Sequence, residues 1–486
     1  MSKEIKDLEP RNVWNHFYSL TQIPRPSKSE GKVIQFMVDF GKGLGLETRV
    51  DDVGNVIIKK PATPGMENRK GVILQGHLDM VPQKNTDVDF DFEKDPIQPR
   101  IDGEWVAARG TTLGSDNGMG VAAAMAALES KEIAHGPLEA LFTIDEETGM
   151  TGAFGLKPGL LSGDILLNLD SEDEGELYVG CAGGINANIR MFYKEEKVPA
   201  GRIAYKLIIG GLKGGHSGLD IHLGRGNSNK ILFRYLRHCE RKHGMRLSSL
   251  DGGNLRNAIP RDATAIFTIP EENKDEFERC VADYFQTIRA ELAITEPNFR
   301  VEFVKADRPA FVMDEDSQKR LIKAVYGCPN GVIRMSDAMP GVVETSNNLS
   351  TVKSVNGEIH IQCLLRSSVD SAKKDLGHMI ESIFELAGAE VKFEGGYPGW
   401  KPNPKSPILK EMLEVYNNKF GKVPEIKAIH AGLECGILGA SYPHWDMISF
   451  GPTIRHPHSP DEKVLISSVK KFWEYLVETL KNVPVK

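Results

Sequence analysis

The stretch KGVILQGHLDM, Lys70 to Met80, constrains the fold most. Val72, Ile73 and Leu74 follow one another without polar alternation, so both faces of the strand they form need cover. Such a strand belongs inside a sheet with helices on both sides. The rest of the first third agrees. Asn12 to Leu20 and Ser29 to Leu44 read as amphipathic helices, with a turn at PRPSKSE between them. GNVIIKK, LEALFTI and DILLNLD read as strands, and GMGVAAAMAALES as an Ala-rich helix. Strands alternating with helices predict an α/β layered sheet.

After GCAGG (Cys181 to Gly184) the texture changes. AYKLIIGG, TAIFTI and EIHIQCLLRSS read as strands, with helices over NSNKILFRYLRHCERKHG, NKDEFERCVADYFQTIRAEL and SAKKDLGHMIESIFELAG. The recurring strand–helix pair predicts an α+β segment built from two similar halves. A Gly/Pro-rich linker, GGYPGWKPNPKSP, ends it. The tail then returns to a helix, a Gly-rich turn at HAGLECGILG, a strand at DMISFG and a last helix. With 486 residues the chain exceeds what one core usually serves. The expected organisation is a first domain in two pieces, 1–185 and 396–486, interrupted by an inserted domain over 186–395.

Sixty basic against 67 acidic residues leave a net charge of −7, which lacks the basic footprint of a nucleic-acid binder. The opening MSKEIKDLEPRNVWNHFYSL carries charges throughout and no apolar core of signal-peptide length. No window reaches the roughly 18 apolar residues of a membrane span. The six cysteines are scattered without a C-x-x-C pair, which suits reduced thiols in a cytoplasm. None has an evident activating base.

In an open α/β sheet, ligands gather at the carboxyl ends of the strands. His77 and Asp79 stand there, two apart and so on one face. GTTLGSDNGMG places Asp116 in a Gly-rich turn before a helix. TIDEETGM supplies Asp145, Glu146 and Glu147, NLDSED supplies Asp170, and GPTIRHPHSPDE supplies His458. Each alone has a plainer reading. His77 suits a structural histidine, Asp116 an N-cap, and the acids around Asp170 a solvated turn. Together, two His and several carboxylates suit a divalent ion, Zn²⁺ first and Mn²⁺ or Co²⁺ next. Five such ligands, one shared, suffice for a two-metal site. Bound cations also offset clustered carboxylates that would otherwise repel.

In order and approximate spacing, GHLDMVP, GSDNGMG, DEETGM, NLDSE, GGHSG and HSPDE resemble metallopeptidase family M20. PATPGMENRK, FEKDPIQPRIDGEWVAARGTTLGSDNG and GCAGGI are most similar to its cytosolic dipeptidases. The likeness runs from about Pro10 to the last helix. It implies a zinc-peptidase α/β/α catalytic domain with an inserted, ferredoxin-like and partly duplicated α+β lid. It implies two zinc ions per subunit, bridged by Asp116, with His77 and Asp170 on one and Glu147 and His458 on the other. Glu146 matches the family's general base and Asp79 the carboxylate that orients His77. A cis peptide between Asp116 and Asn117 is also implied. In the lid, His216 matches a residue that holds the oxyanion, with His222 read as structural. Asn257 and Arg366 match residues that bind the substrate's C-terminal carboxylate, and Glu434 a residue bordering the substrate. Without the resemblance, Arg366 reads as half of a surface ion pair.

The activity implied is hydrolysis of Xaa-His and related dipeptides, such as β-alanyl-histidine, by a cytoplasmic homodimer. A carboxylate anchor on the lid and metals on the other domain would set a length of about two residues, with closure expelling water. Whether His216 serves its own subunit or a partner's is open. The nearest rivals are a tripeptidase and an N-acyl amino acid deacylase. A binding protein without turnover has no need of Glu146. A nucleotide site lacks both the Walker A lysine and the G-x-G-x-x-G spacing.

Overall fold

The computed structural model describes residues 4–486, so Met1–Lys3, the start of the segment without a signal-peptide core, lie outside it. Two compact units form. One comprises the described residues up to Gly180 together with Pro402–Ala428 and Leu433–Lys486; the other comprises Cys181–Lys401 and Ile429–Gly432. The return of residues 429–432 to the second unit left no mark in the sequence pattern. It is made by backbone bonds, Ala182 N–H donating to the carbonyls of Ile429 and Ala431.

The first unit is built on an eight-stranded sheet. Its central strands Leu138–Thr143, Val72–His77, Ile165–Asn168 and Asp446–Ser449 run parallel. Val72–His77 is buried at every position, as its unbroken apolar run requires. The helix Ser115–Glu129 is buried from Asn117 to Leu128, which its small side chains permit. A Cβ at Gly120 would stand 2.3 Å from the carbonyl oxygen of Leu169, so only glycine allows that approach. Because the four central strands share a direction, their carboxyl ends open on one edge. His77 ends one strand, Asp145–Glu147 follow the second and Asp170 the third, and His458 lies in the loop beyond Ser449.

A second, four-stranded sheet in this unit pairs Pro99–Asp102, Trp105–Ala108, Lys463–Leu465 and Ile454–Arg455. It ties the segment before Asp116 to the segment around His458. HAGLECGILG, expected as a turn, contains instead the helix Glu434–Ser441. Its glycines are accommodated by close packing; a Cβ at Gly439 would meet Met447 at 2.7 Å.

The second unit carries a nine-stranded antiparallel sheet. Two βαββαβ halves compose eight of its strands, and the ninth, Gly331–Met335, pairs with strand 343–355. In the first, strands 202–210, 246–252, 263–270 and 300–305 stand in the spatial order 4-1-3-2, with helices Ser228–His243 and Lys274–Glu291. In the second, strands 183–192, 343–355, 358–367 and 390–397 repeat that order, with helices Glu315–Gly327 and Asp370–Leu386. The halves join where strand 246–252 pairs with strand 343–355. The opening strand of the second half precedes the whole first half in the chain, so the duplication is nested. Leu207, Phe233, Phe267, Phe277, Ile361 and Phe384 lie in one continuous core, all 0–1% exposed.

Among the described residues no helix is long and apolar enough to cross a membrane. Cys239, Cys280, Cys328 and Cys363 are free thiols.

Candidate metal centre

The strand end after His77 organises the first unit's site. His77 Nδ1 lies 3.2 Å from the main-chain oxygen of Asp79 and 3.3 Å from its Oδ1. The same Asp79 carboxylate accepts the N–H groups of Glu146 (3.0 Å) and Glu147 (3.2 Å) and the Ser27 hydroxyl (2.8 Å). One carboxylate thus orients the imidazole and fastens the neighbouring acidic loop. Burial opposes its charge, but His77, Ser27 and the Glu146 amide hold its pKa down at about 2.

Asp116 stands between two imidazoles. Its Oδ1 is 3.1 Å from His77 Nε2 and its Oδ2 3.1 Å from His458 Nε2. It lies at the start of the helix Ser115–Glu129, with non-helical φ and ψ at Asp116 and Asn117. The peptide between them is cis, as the resemblance implies. Glu147 Oε2 lies 3.0 Å from His458 Nε2, and Asp170 Oδ1 3.5 Å from His77 Nε2. Ligand atoms of His77, Asp116 and Glu147 fall within 4.8 Å of one another.

The three successive acids separate by partner. Asp145 turns inward at φ 54, where its carboxylate accepts the hydroxyls of Thr148 and Thr151 and its amide donates to Glu30 Oε1. Glu147 faces His458. Glu146 meets chiefly burial and the charges of Asp170, Glu434 and Glu147, which hold its pKa well above the ordinary carboxyl value against the pull of His77. Asp145, Met150, His456 and His458 are four of the six non-glycine residues with positive φ among the described residues. Backbone strain is therefore concentrated in the loops that present these side chains.

Burial disfavours a charged His77, yet Asp170, Asp116 and Asp79 hold its pKa well above the usual value. Asp116 and then Glu147 raise His458 to about 11. Burial lifts Asp170 to about 7, helped by Asp116 and Glu147, and lifts Glu172 to about 8, helped by Asp116 and Asp170. This much negative charge calls for a cation. Two buried carboxylate oxygens, Glu147 Oε1 and Asp170 Oδ1, accept no hydrogen bond. Two imidazoles and three carboxylates, two of which keep an unpartnered oxygen, fit a divalent metal.

Glu434 belongs to this unit, 1% exposed at the start of its helix. Its Oε2 accepts from Gln75 (2.7 Å) and Thr143 (2.8 Å), and its Oε1 has no partner. Burial raises its pKa to about 7, with Asp170 adding and His77 opposing.

His216, Asn257 and Arg366 lie in the second unit. His216 Nδ1 accepts the amides of Gly218 (3.2 Å) and Leu219 (3.0 Å), so a neutral ring carries its proton on Nε2. Burial, then Arg366, lowers its pKa. Arg366 is buried rather than on the surface; its Nη1 donates to Tyr397 Oη at 3.1 Å and its Nε has no partner. A Cβ at Gly218 would stand 2.0 Å from the His430 carbonyl, 3.1 Å from His216 Cε1 and 3.2 Å from Arg366 Nε. These three residues therefore converge on one glycine. Asn257 is exposed; its carbonyl accepts the Ser217 amide at 2.9 Å. His222 is exposed. His430 and Tyr397 were not foreseen, because nothing in their local sequence distinguishes them.

His430 also makes a stability prediction. Burial and then the Arg366 charge push its pKa down to about 3. Between an unfolded value near 6.5 and about 3, the unfolded chain binds a proton that the folded chain refuses, so stability falls as pH falls through that window. The thermal midpoint of His430→Gln should drop less steeply from pH 7 to pH 4 than that of the native chain. Parallel slopes would exclude His430 as a source of acid sensitivity.

Residues 73–482 match peptidase family M20/M25/M40. The chain is 48% identical over 485 residues to the cytosol non-specific dipeptidase of Escherichia coli, covering 99% of this chain and all of that one. The aminoacylhistidine dipeptidase of Vibrio alginolyticus superposes with a TM-score of 0.97 at 50% identity, covering 100% and 99% of the two chains. The aminopeptidase PepT of Bacillus cereus shares the fold, with a TM-score of 0.62 at 18% identity over 98% and 99%. The chain is an enzyme, and it belongs to peptidase family M20/M25/M40.

Proposed function

We propose that the enzyme is a metallo-dipeptidase that hydrolyses Xaa-His and related dipeptides, such as β-alanyl-histidine, with two Zn²⁺ ions per subunit. Co²⁺ or Mn²⁺ would substitute. His77 and Asp170 would hold one ion, Glu147 and His458 the other, and Asp116 both. The observation that best supports this ligand set is the placement of Asp116, with one oxygen 3.1 Å from each of two imidazoles. Bound there, the metal pair would supply a water acidic enough to ionise near neutral pH and a Lewis acid for the scissile carbonyl.

The chain's own groups would do the rest. Glu146 takes the proton from the attacking water and passes it to the departing amine. Asp79 keeps the His77 ring in place through Nδ1. His216, with its proton on Nε2, donates to the carbonyl oxygen as charge grows there. Arg366, steadied by Tyr397, pairs its planar donors with the substrate carboxylate, and Asn257 assists. Glu434 borders the substrate. The names of the two dipeptidases, at 48% and 50% identity, support the substrate class. The same reading carries a cytoplasmic homodimer.

A substrate panel tests it. Zinc-loaded protein should cleave β-alanyl-histidine and Gly-His, and chelation followed by Zn²⁺ should abolish and restore that activity. Cleavage confined to acetylated amino acids or tripeptides would replace the dipeptidase reading with one of its rivals. Light scattering at a single-chain mass would remove the homodimer.

A further inference from the structure

Two buried charged residues stand behind the ligand cluster without a role so far. Glu462 is 2% exposed. Its Oε2 accepts the amides of Leu113 (2.8 Å) and Gly114 (3.0 Å). Its Oε1 accepts the Ser115 amide (2.7 Å), the Ser115 hydroxyl (2.6 Å) and the Asp116 amide (3.3 Å). Four consecutive amides leading into Asp116 thus converge on one carboxylate. Arg25 is likewise 2% exposed. Its Nη1 donates to the carbonyls of Leu78 (2.8 Å) and Asp79 (2.9 Å), and its Nη2 to the carbonyl of Gly114 (2.6 Å).

Gly114 is therefore gripped from both ends, by Glu462 at its N–H and by Arg25 at its C=O. Glycine is required there: φ is 70, and a Cβ would stand 2.6 Å from Arg25 Nη2 and 2.9 Å from Met80 Sδ. A Cβ at Gly118 would stand 2.7 Å from the same Nη2, so a second glycine also makes room for the guanidinium. Arg25 joins the strand end that carries His77 and Asp79 to the turn that carries Asp116. Glu462, four residues after His458, joins that turn to the loop that carries His458.

We propose that Arg25 and Glu462 are positioning residues that brace three ligand-bearing segments, so that Asp116 stands between His77 and His458 before any metal arrives. The brace rests on reading this cluster as the metal centre. It touches neither metal nor substrate. Its work is to remove the ordering cost that a binding ion would otherwise meet. Arg25 is suited because a planar fork reaches carbonyls on two segments at once, which an ammonium does not reproduce. Glu462 is suited because only a carboxylate offers acceptors alone; an amide in its place would turn an NH₂ toward backbone N–H groups.

Titration of Co²⁺ into metal-free protein, followed by calorimetry and by visible absorption, tests the brace. Loss of such outer partners weakens metal binding on the order of 10–100-fold, and that is the change expected in Kd for Glu462→Gln and Arg25→Lys, with an altered Co²⁺ spectrum. Ser115→Ala, which removes one small donor, should shift Kd in the same direction by less. A merely structural role would lower the melting temperature of metal-free and metal-bound protein alike and leave Kd and spectrum unchanged, which would overturn the proposal. Should the two charge variants not fold, Ser115→Ala decides: a native Kd overturns the brace. A native chain that takes up no Co²⁺ sinks the metal-centre reading and the brace with it. Native uptake with unmoved variants sinks the brace alone.

Discussion

Glu146→Gln should lower kcat for β-alanyl-histidine on the order of 10²–10⁴-fold, the usual worth of a general acid–base group, while the protein still binds its metal. The substitution keeps side-chain volume and leaves the Glu146 amide free to donate to Asp79, as it does at 3.0 Å. What it removes is a group able to exchange a proton. Burial first, then Asp170, Glu434 and Glu147, hold that proton more tightly than an ordinary carboxyl would. Metal content by mass spectrometry and steady-state kinetics on the same sample separate the two effects. Activity within a few fold of native would take Glu146 out of the proton-transfer role. Loss of metal in parallel with activity would make it a ligand instead.

The central parallel strands were legible because burial on both faces leaves no choice of residue: Val72–Leu74 and Leu138–Phe142 are apolar without alternation. The edge they share then makes His77, Glu146, Glu147 and Asp170 neighbours, so much of the candidate metal centre follows from strand order. Strand 343–355 escaped notice for the opposite reason. Thr345, Ser346, Asn347, Asn348 and Ser350 are all buried in it, and their side chains make hydrogen bonds rather than fill an apolar core: Thr345 and Ser350 to strand 358–367, and Ser346, Asn347 and Asn348 to loops. Asn348 Nδ2, for instance, donates to the carbonyls of Arg256 and Ala258 beside Asn257. No hydrophobic period marks such a strand. The nested duplication was only half visible because strand 183–192 is separated from its helix, Glu315–Gly327, by the other half. Arg25 was hidden differently. Its partners are backbone carbonyls 53 to 89 positions away, which have no side-chain signature. Glu462 lay inside a recognised motif, but the sequence holds nothing to show that its work is to collect amides.

Asp116→Asn should be the more damaging change at the metal centre, because it alters the one residue bonded to both imidazoles. An amide keeps the shape of the side chain but offers a single acceptor oxygen, so it can serve one side of the cluster and presents N–H to the other. Of the two ions proposed, only one should then be held tightly. The affinity lost should be no smaller than the roughly 10–100-fold that an outer partner costs, since a direct ligand is being removed. The fold should survive, because the turn is held by Glu462 through backbone amides that the substitution leaves in place. Metal counted per chain after dialysis, together with hydrolysis of β-alanyl-histidine, gives the comparison: Glu146→Gln loses turnover and keeps both ions, whereas Asp116→Asn loses an ion and turnover together. Two tightly held ions in Asp116→Asn would show that Asp116 does not bridge, and would leave the 3.1 Å contacts to His77 and His458 as hydrogen bonds of a structural carboxylate.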